Sequence, residues 1–314
     1  MRGISKRKLA AAAVIALAAV GAAALLYQPA LAWYRRLAKL PDENGIYQVG
    51  DSWFEVLEPV EDSAADAFAA KLQTLQGMLS PDNRVYWALV PDKGWYVRQE
   101  GYPTLDHEAF QQRAAQQLAQ SGMTAIDLSG ALQLDSYLRT DRHWRQDALQ
   151  PVLDTLGEAM DFAVKLEGFT PHTAEFSGDL VRKLPRPATE QLVWLTSDAT
   201  DDAQVDNYKE DAAHTVYDTA KLDSSTPYGL FLSGITPYLV IESPQAETDR
   251  QLVIFGDSFA SSLAPLLCES YSRITIFDLR FIHSSLVKDY IEFSDQDVLF
   301  LYSDWIASSS ALLR

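Results

Sequence analysis

The chain has 314 residues, 47% of them apolar and 11% aromatic, enough to bury a substantial core in one large α/β domain or two smaller ones. Its formal charge of −17 is unevenly divided: residues 1–40 hold seven Lys/Arg and no acid, leaving 19 of the 26 bases against all 43 acids beyond them, a formal −24. So acidic a body is repelled by nucleic acid, which is excluded as a general partner, and the single Cys268 excludes an internal disulfide framework.

At the N-terminus, Arg2, Lys6, Arg7 and Lys8 precede an uncharged apolar run over residues 9–26, and Arg35, Arg36 and Lys39 follow it. This segment, residues 1–40, reads as a signal peptide or a single membrane anchor. Ala30-Leu31-Ala32 fits a cleavage site, and the length of the apolar run fits an uncleaved span. Either reading exports the remainder, secreted or tethered, with the basic end inside.

Pro41-Asp42-Glu43-Asn44-Gly45 reads as a linker into a folded unit over residues 41–314. Strand-like residues 46–49 and 53–57 flank Gly50-Asp51-Ser52, which makes a hairpin. Apolar Ala65, Phe68, Ala69, Leu72, Leu75 and Leu79 have helical spacing. A strand over residues 84–90, a helix over 106–120 and a short strand over 124–128 follow. The most amphipathic helix runs from residue 144 to 163, with Pro151 acceptable only near its first turn. Residues 170–225 read as a long polar excursion around a strand at 191–195. Strands at 238–242, 251–255, 273–277 and 297–302 then alternate with helices at 260–270 and 284–293, the pattern of a parallel sheet covered on both faces.

Two blocks carry the chemistry. Gly256-Asp257-Ser258-Phe259 lies where a buried strand turns into a helix, so the Ser258 hydroxyl projects beside a helix N-terminus able to stabilise an oxyanion. Asp257 reads as the cap of that helix. Only 56 residues follow Ser258, so base and orienting acid are sought upstream. Thr140-Asp141-Arg142-His143-Trp144 supplies both: His143 to take the hydroxyl proton, Asp141 to orient the imidazole. On spacing alone, an Asp-X-His in a loop is more often a surface turn and cap.

Other residues compete with these. Gly50-Asp51-Ser52 repeats the tripeptide but is followed by strand, so it reads as a turn. His283 lies five residues after Asp278, a spacing unsuited to an acid–base pair. Trp144 is either a packing residue or a face for sugar stacking. Arg280 is either an ion-pair partner or a contact to substrate. Gly178, in Phe176-Ser177-Gly178-Asp179-Leu180, is a candidate second oxyanion donor. His107, His172 and His214 are scattered, without HExxH, Cys/His clusters or phosphate-cradling glycine loops, so neither metal nor cofactor is expected.

Tyr137 to Trp144, the late Gly256-Asp257-Ser258-Phe259-Ala260, Asp278-Leu279-Arg280 and the early Val90-Pro91-Asp92-Lys93 together resemble the DHHW protein family. That family is similar to the SGNH-hydrolase-like domains of bacterial alginate O-acetylation proteins. Arg142 and Arg145 depart from the pattern, standing where the family has a histidine and a helix-capping threonine. The resemblance implies an SGNH-hydrolase-like (flavodoxin-like) α/β fold, with a parallel sheet and permuted motif order, and a triad of Asp141, His143 and Ser258. It implies O-acetyltransferase or acetyl esterase activity on a cell-envelope or exported polysaccharide, or another hydroxyl acceptor. It also implies a membrane-bound O-acyltransferase as partner. A non-catalytic polysaccharide-binding or scaffold protein of the same fold is the rival reading.

Overall fold

The computed structural model describes residues 31, 33–35, 37–182, 184 and 187–314, so the apolar run expected to be a signal peptide or anchor lies outside the described residues. The expected hairpin forms from β1 (Ile46–Val49) and β2 (Ser52–Glu55), with Gly50 at φ +60° in the turn. Helix α1 (Asp62–Gln76) buries Ala65, Phe68, Ala69, Leu72 and Leu75, the stripe its spacing predicts. Then come β3 (Arg84–Val90), α2 (His107–Leu118) and β4 (Thr124–Asp127).

Helix α3 is shorter than its periodicity suggests, spanning Gln150–Met160. Pro151 lies in its first turn, where a missing N–H costs nothing, and residues before it form only a 3-10 turn, Gln146–Ala148. The excursion after it is more ordered than expected. β5 (Thr170–Phe176) and β6 (Glu190–Thr196) make an antiparallel ribbon, and α4 (Asp198–Asp202) leads into β7 (Gln204–Asn207). The remaining elements are β8 (Tyr238–Glu242), β9 (Gln251–Gly256), α5 (Ser258–Leu267), β10 (Arg273–Phe277), β11 (Asp297–Ser303) and α6 (Asp304–Ala307). Between β10 and β11 the expected helix is reduced to a 3-10 segment, Ser284–Asp289.

Among the described residues the central sheet has the order β4-β3-β11-β9-β10-β8-β7. β4, β3, β11, β9 and β10 are parallel, but β8 pairs antiparallel with β10 and β7 antiparallel with β8. The sheet is thus mostly parallel rather than wholly so. Its central strands are buried on both faces, which explains their unbroken apolar sequences. Leu252 and Ile254 of β9 and Leu299 and Leu301 of β11 pack with Leu153 and Leu156 of α3 and Leu263 of α5. The intervening Val253, Phe255, Val298 and Phe300 pack on the opposite face against Phe68 and Leu72 of α1 and Phe110 of α2.

The chain leaves β9 to β10 on one side and then crosses to β11 on the other, so β9 ends at a switch point with its carboxyl end between diverging connections. Gly256 is required there: a Cβ would sit 2.8 Å from the Leu301 carbonyl oxygen of β11. The close approach of these two strands sets where Ser258 emerges.

Candidate active site

Ser258 opens α5 and is partly exposed at the carboxyl edge of the sheet. Asp257 shapes the turn: one carboxylate oxygen accepts the Phe259 N–H at 3.0 Å and the other accepts the Ser303 N–H and hydroxyl at 2.8 and 2.6 Å. The carboxyl end of β11 is thereby held against the start of α5. As the first residue of the helix, Ser258 has no intrahelical acceptor for its own N–H, which remains at the positive end of the helix.

The Tyr137–Trp144 block folds back on itself. Tyr137 bridges Trp144, Leu138 N–H donates to the His143 carbonyl at 2.9 Å, and Arg145 N–H to the Ser136 carbonyl at 2.8 Å. Its tip is fixed from outside by residues distant in sequence. Glu190 at the start of β6 accepts the N–H groups of Arg139 at 2.9 Å and Thr140 at 2.6 Å, together with the Thr140 hydroxyl. Tyr137 donates its hydroxyl to the Pro91 carbonyl at 2.7 Å, at the end of β3.

This scaffold brings three side chains into line. Asp141 Oδ1 lies 2.6 Å from His143 Nδ1, and His143 Nε2 lies 2.7 Å from Ser258 Oγ, across 115 residues of chain. Asp141 also accepts the N–H of His143 at 3.1 Å and that of Asp179 at 2.9 Å. Burial alone would raise the Asp141 carboxyl, but the charge and hydrogen bond of His143, with the two backbone donors, hold it far below the usual carboxylate range. An ionised Asp141 can only accept, so Nδ1 carries the imidazole proton and Nε2 is left as the acceptor for the Ser258 hydroxyl. Such a chain can draw a proton from the hydroxyl as it attacks a carbonyl carbon.

Tyr228 was not singled out by sequence, yet its ring stacks on His143 with centroids 3.9 Å apart and planes 12° apart, and Phe259 closes on the same imidazole at 5.0 Å. Burial pushes the Tyr228 hydroxyl well above its usual range, so it stays a neutral donor, to Ser262 Oγ at 2.9 Å. Neither Tyr228 nor Glu190 lies in a recognisable motif; only the fold brings them to the loop.

His143 and Ser258 line a cleft of about 570 Å³ with Tyr228, Phe231, Trp305 and Ile306. Arg280 also lines it while pairing with Asp278 through two hydrogen bonds of 2.9 and 2.6 Å, so the two readings of this residue are not exclusive. Arg142 lines the cleft as well; it pairs with Glu55 at 2.6 Å and lies 5.2 Å over the Trp305 ring. A second groove of about 750 Å³, bounded by Asp51, Arg139 and Glu190 among others, contains none of the three aligned side chains.

Two candidates are corrected. Trp144 is not a sugar-stacking face: it is 1% exposed and donates Nε1–H to Ser262 Oγ at 2.8 Å. Gly178 does not offer an oxyanion donor, because its N–H is taken by the Thr140 hydroxyl at 3.0 Å. Its need for glycine is steric, since a Cβ would lie 2.4 Å from the Thr140 carbonyl oxygen. The competing residues stay apart from the site. Ser52 sits in the β1–β2 hairpin, and His283 caps its own 3-10 segment, accepting the Ser285 N–H at 3.2 Å.

Solved structures share this arrangement of elements. A DHHW family protein from Eubacterium siraeum DSM 15702 is 21% identical, with a TM-score of 0.66 over 86% of this chain and 94% of that one. Bacillus cereus PatB1 is 17% identical, with a TM-score of 0.63 over 83% of this chain and 96% of its own; it is also solved with a sulfonyl adduct. The O-acetyltransferase domain of Pseudomonas putida AlgJ is 14% identical, with a TM-score of 0.50 over 84% and 92%. What these chains have in common is the fold. The structural neighbours therefore include both a DHHW family protein and an O-acetyltransferase domain, as the blocks led one to expect. No family model and no curated protein sequence matches the chain.

Proposed function

We propose that the protein is an extracytoplasmic, serine-dependent acyl-transfer enzyme that O-acetylates a hydroxyl of a cell-envelope or exported polysaccharide. The observation that carries this reading is the continuous Asp141–His143–Ser258 chain, at 2.6 and 2.7 Å, opening into a cleft. The O-acetyltransferase domain with the same fold supports acetyl as the group transferred. The basic, apolar N-terminal segment supports export. A membrane-bound O-acyltransferase is the partner class that would deliver acyl groups to such a site.

In the first half-reaction Ser258 Oγ attacks the acyl carbonyl while its proton passes to His143 Nε2, and Asp141 stabilises the imidazolium. The Ser258 N–H at the head of α5 stabilises the tetrahedral oxyanion. Collapse breaks the bond to the donor's leaving group, which takes the proton from His143 and leaves an acyl ester on Ser258. In the second half-reaction a sugar hydroxyl gives its proton to His143 and attacks that ester, and Ser258 departs with the proton returned. Water in place of the sugar gives an esterase through the same steps.

The test uses an acetyl-ester chromogenic substrate with wild type, Ser258→Ala and His143→Ala, followed by addition of an acceptor glycan and a search for acetyl on it. Turnover confined to wild type, with labelling of Ser258 by a sulfonyl fluoride, is the expected result. Turnover and labelling that do not depend on Ser258 would remove the reading, and acetyl released only to water would make the protein an esterase.

A further inference from the structure

Lys93, just past the carboxyl end of β3, is 2% exposed and forms no ion pair within 4 Å among the described residues. Its Nζ donates instead to three backbone carbonyls of one loop: Leu138 at 2.6 Å, Arg139 at 3.2 Å and Asp141 at 2.8 Å. Those bonds use all three ammonium protons. The Phe54 ring of β2 lies 5.0 Å from the ammonium. Burying an ammonium without a carboxylate partner is costly, and an apolar side chain would fill the same space at lower cost. What an apolar side chain lacks is a cation able to gather three carbonyls.

The root of Lys93 is itself fixed. Asp92 N–H donates to Asp304 Oδ2 at 3.0 Å, and Asp304 Oδ1 meets His107 Nδ1 of α2 at 2.8 Å, both pair members being fully buried. A column of buried polar groups thus runs from α2 through the end of β3 to the loop that carries Asp141 and His143.

We propose that Lys93 is a positioning residue, whose ammonium gathers the carbonyls of Leu138, Arg139 and Asp141 so that the Asp141–His143 pair is presented to Ser258. Its kinetic consequence rests on the acyl-transfer reading above; its geometric consequence does not. The charge is essential to the device, because a neutral amine has two N–H donors and a lone pair, and would turn that lone pair toward one of the three oxygens. The groups facing Lys93 are Asp92 beside it, Asp141 and Arg142 on the loop, and Glu190 on β6. Burial is the largest influence and brings the ammonium down to about 8, with the three carboxylates resisting and Arg142 assisting. The loop therefore loosens as pH rises through about 8. Stability moves the other way: above that pH the native lysine has released a proton that the unfolded chain, titrating near ~10.4, still binds, so this group's contribution to stability rises.

The experiment follows kcat, KM, thermal unfolding and the downfield Nδ1–H proton resonance of His143 from pH 6 to 9.5, in the full chain and in Lys93→Met and Lys93→Arg. His143→Gln assigns the resonance, and the His107 Nδ1–H serves as internal reference for exchange. Wild type should lose kcat and the His143 signal together near pH 8, while the protein stays folded at the assay temperature. Lys93→Met should have kcat lower by about 10–100-fold, as expected for a misplaced base, with KM within about twofold and no alkaline limb. Lys93→Arg, charged throughout, should recover part of kcat and remove the alkaline limb. A folded Lys93→Met with wild-type kcat and an undisturbed His143 signal would overturn the proposal. Should that variant fail to fold, a wild-type His143 signal unchanged relative to His107 up to pH 9.5 would overturn it equally. If wild type shows no Ser258-dependent turnover, the acyl-transfer reading fails, and the His143 resonance alone decides for or against Lys93.

Discussion

Trp144 donates its indole N–H to Ser262 Oγ across 2.8 Å, joining the residue after His143 to the helix that Ser258 begins. The same oxygen accepts the Tyr228 hydroxyl at 2.9 Å, and Gln146 Nε2 donates to the Ser262 carbonyl at 2.7 Å. One serine thus couples three elements around His143. Ser262→Ala would leave two buried donors without an acceptor, at roughly 1–3 kcal/mol each. We expect urea unfolding to show a loss of about 2–6 kcal/mol by that reckoning, accompanied by a several-fold lower kcat. Unchanged stability would mean that Trp144 and Tyr228 find other acceptors.

Asp141→Asn should reduce kcat by about 10²–10⁴-fold with little change in KM, because an amide no longer selects the Nδ1–H tautomer or stabilises the imidazolium. The same carboxylate contributes to stability. Its folded pKa is depressed below an unfolded value near ~3.9, so the contribution is complete above that pH and is lost as pH falls toward the folded value. Melting temperature between pH 5 and 2 should accordingly fall less in Asp141→Asn than in wild type.

His107→Leu should destabilise the fold by about 3–5 kcal/mol, since it strands the buried Asp304 carboxylate. Burial opposes protonation of His107, but the charge and hydrogen bond of Asp304 outweigh it and raise its pKa above the ordinary histidine value. A raised folded pKa supplies stability in full below ~6.5 and loses it as pH climbs through the folded value. Denaturant titrations from pH 5 to 9 should show this decline in wild type and a flatter profile in the variant.

Gly178→Ala should act on the site while leaving its three aligned residues unsubstituted. The added Cβ would meet the Thr140 carbonyl oxygen at 2.4 Å and Asp141 Cβ at 2.6 Å, so the loop has to move. We expect a stability loss of about 1–3 kcal/mol from the forced shift, and at least a roughly tenfold lower kcat from displacement of Asp141. A variant with wild-type kinetics would show that the loop tolerates the displacement.

Much of the fold was legible because local chemistry and burial agreed. β9 and β11 are apolar at every inner position since both their faces are covered, and the strand–turn–helix at Ser258 ends with Asp257 accepting the Phe259 N–H as a cap should. The two Gly-Asp-Ser tripeptides were separable on the same ground: strand follows the early copy and helix the late one. Where local pattern and tertiary context diverged, the reading failed. The apolar stripe beginning near Trp144 predicts helix from its first residue, yet Trp144 is buried as part of a loop fixed by Ser262, and regular helix begins only at Gln150. β7 is a four-residue edge strand whose place comes from pairing with β8, and nothing in its own sequence announces that.

Which residues could do the chemistry, and in what chain order, follows from local sequence, because a strand-to-helix turn and an Asp-X-His spacing are local properties that propensity and capping enforce. Tertiary structure decided that the two blocks meet, that the Trp144 indole packs inward, and that the Gly178 N–H is spent on Thr140. Those outcomes depend on strand order and on long-range hydrogen bonds that Lys93 donates and that Glu190 and Ser262 accept. Such bonds join groups from 38 to 118 residues apart, and no periodicity along the chain records which distant donor a buried carbonyl or hydroxyl will find.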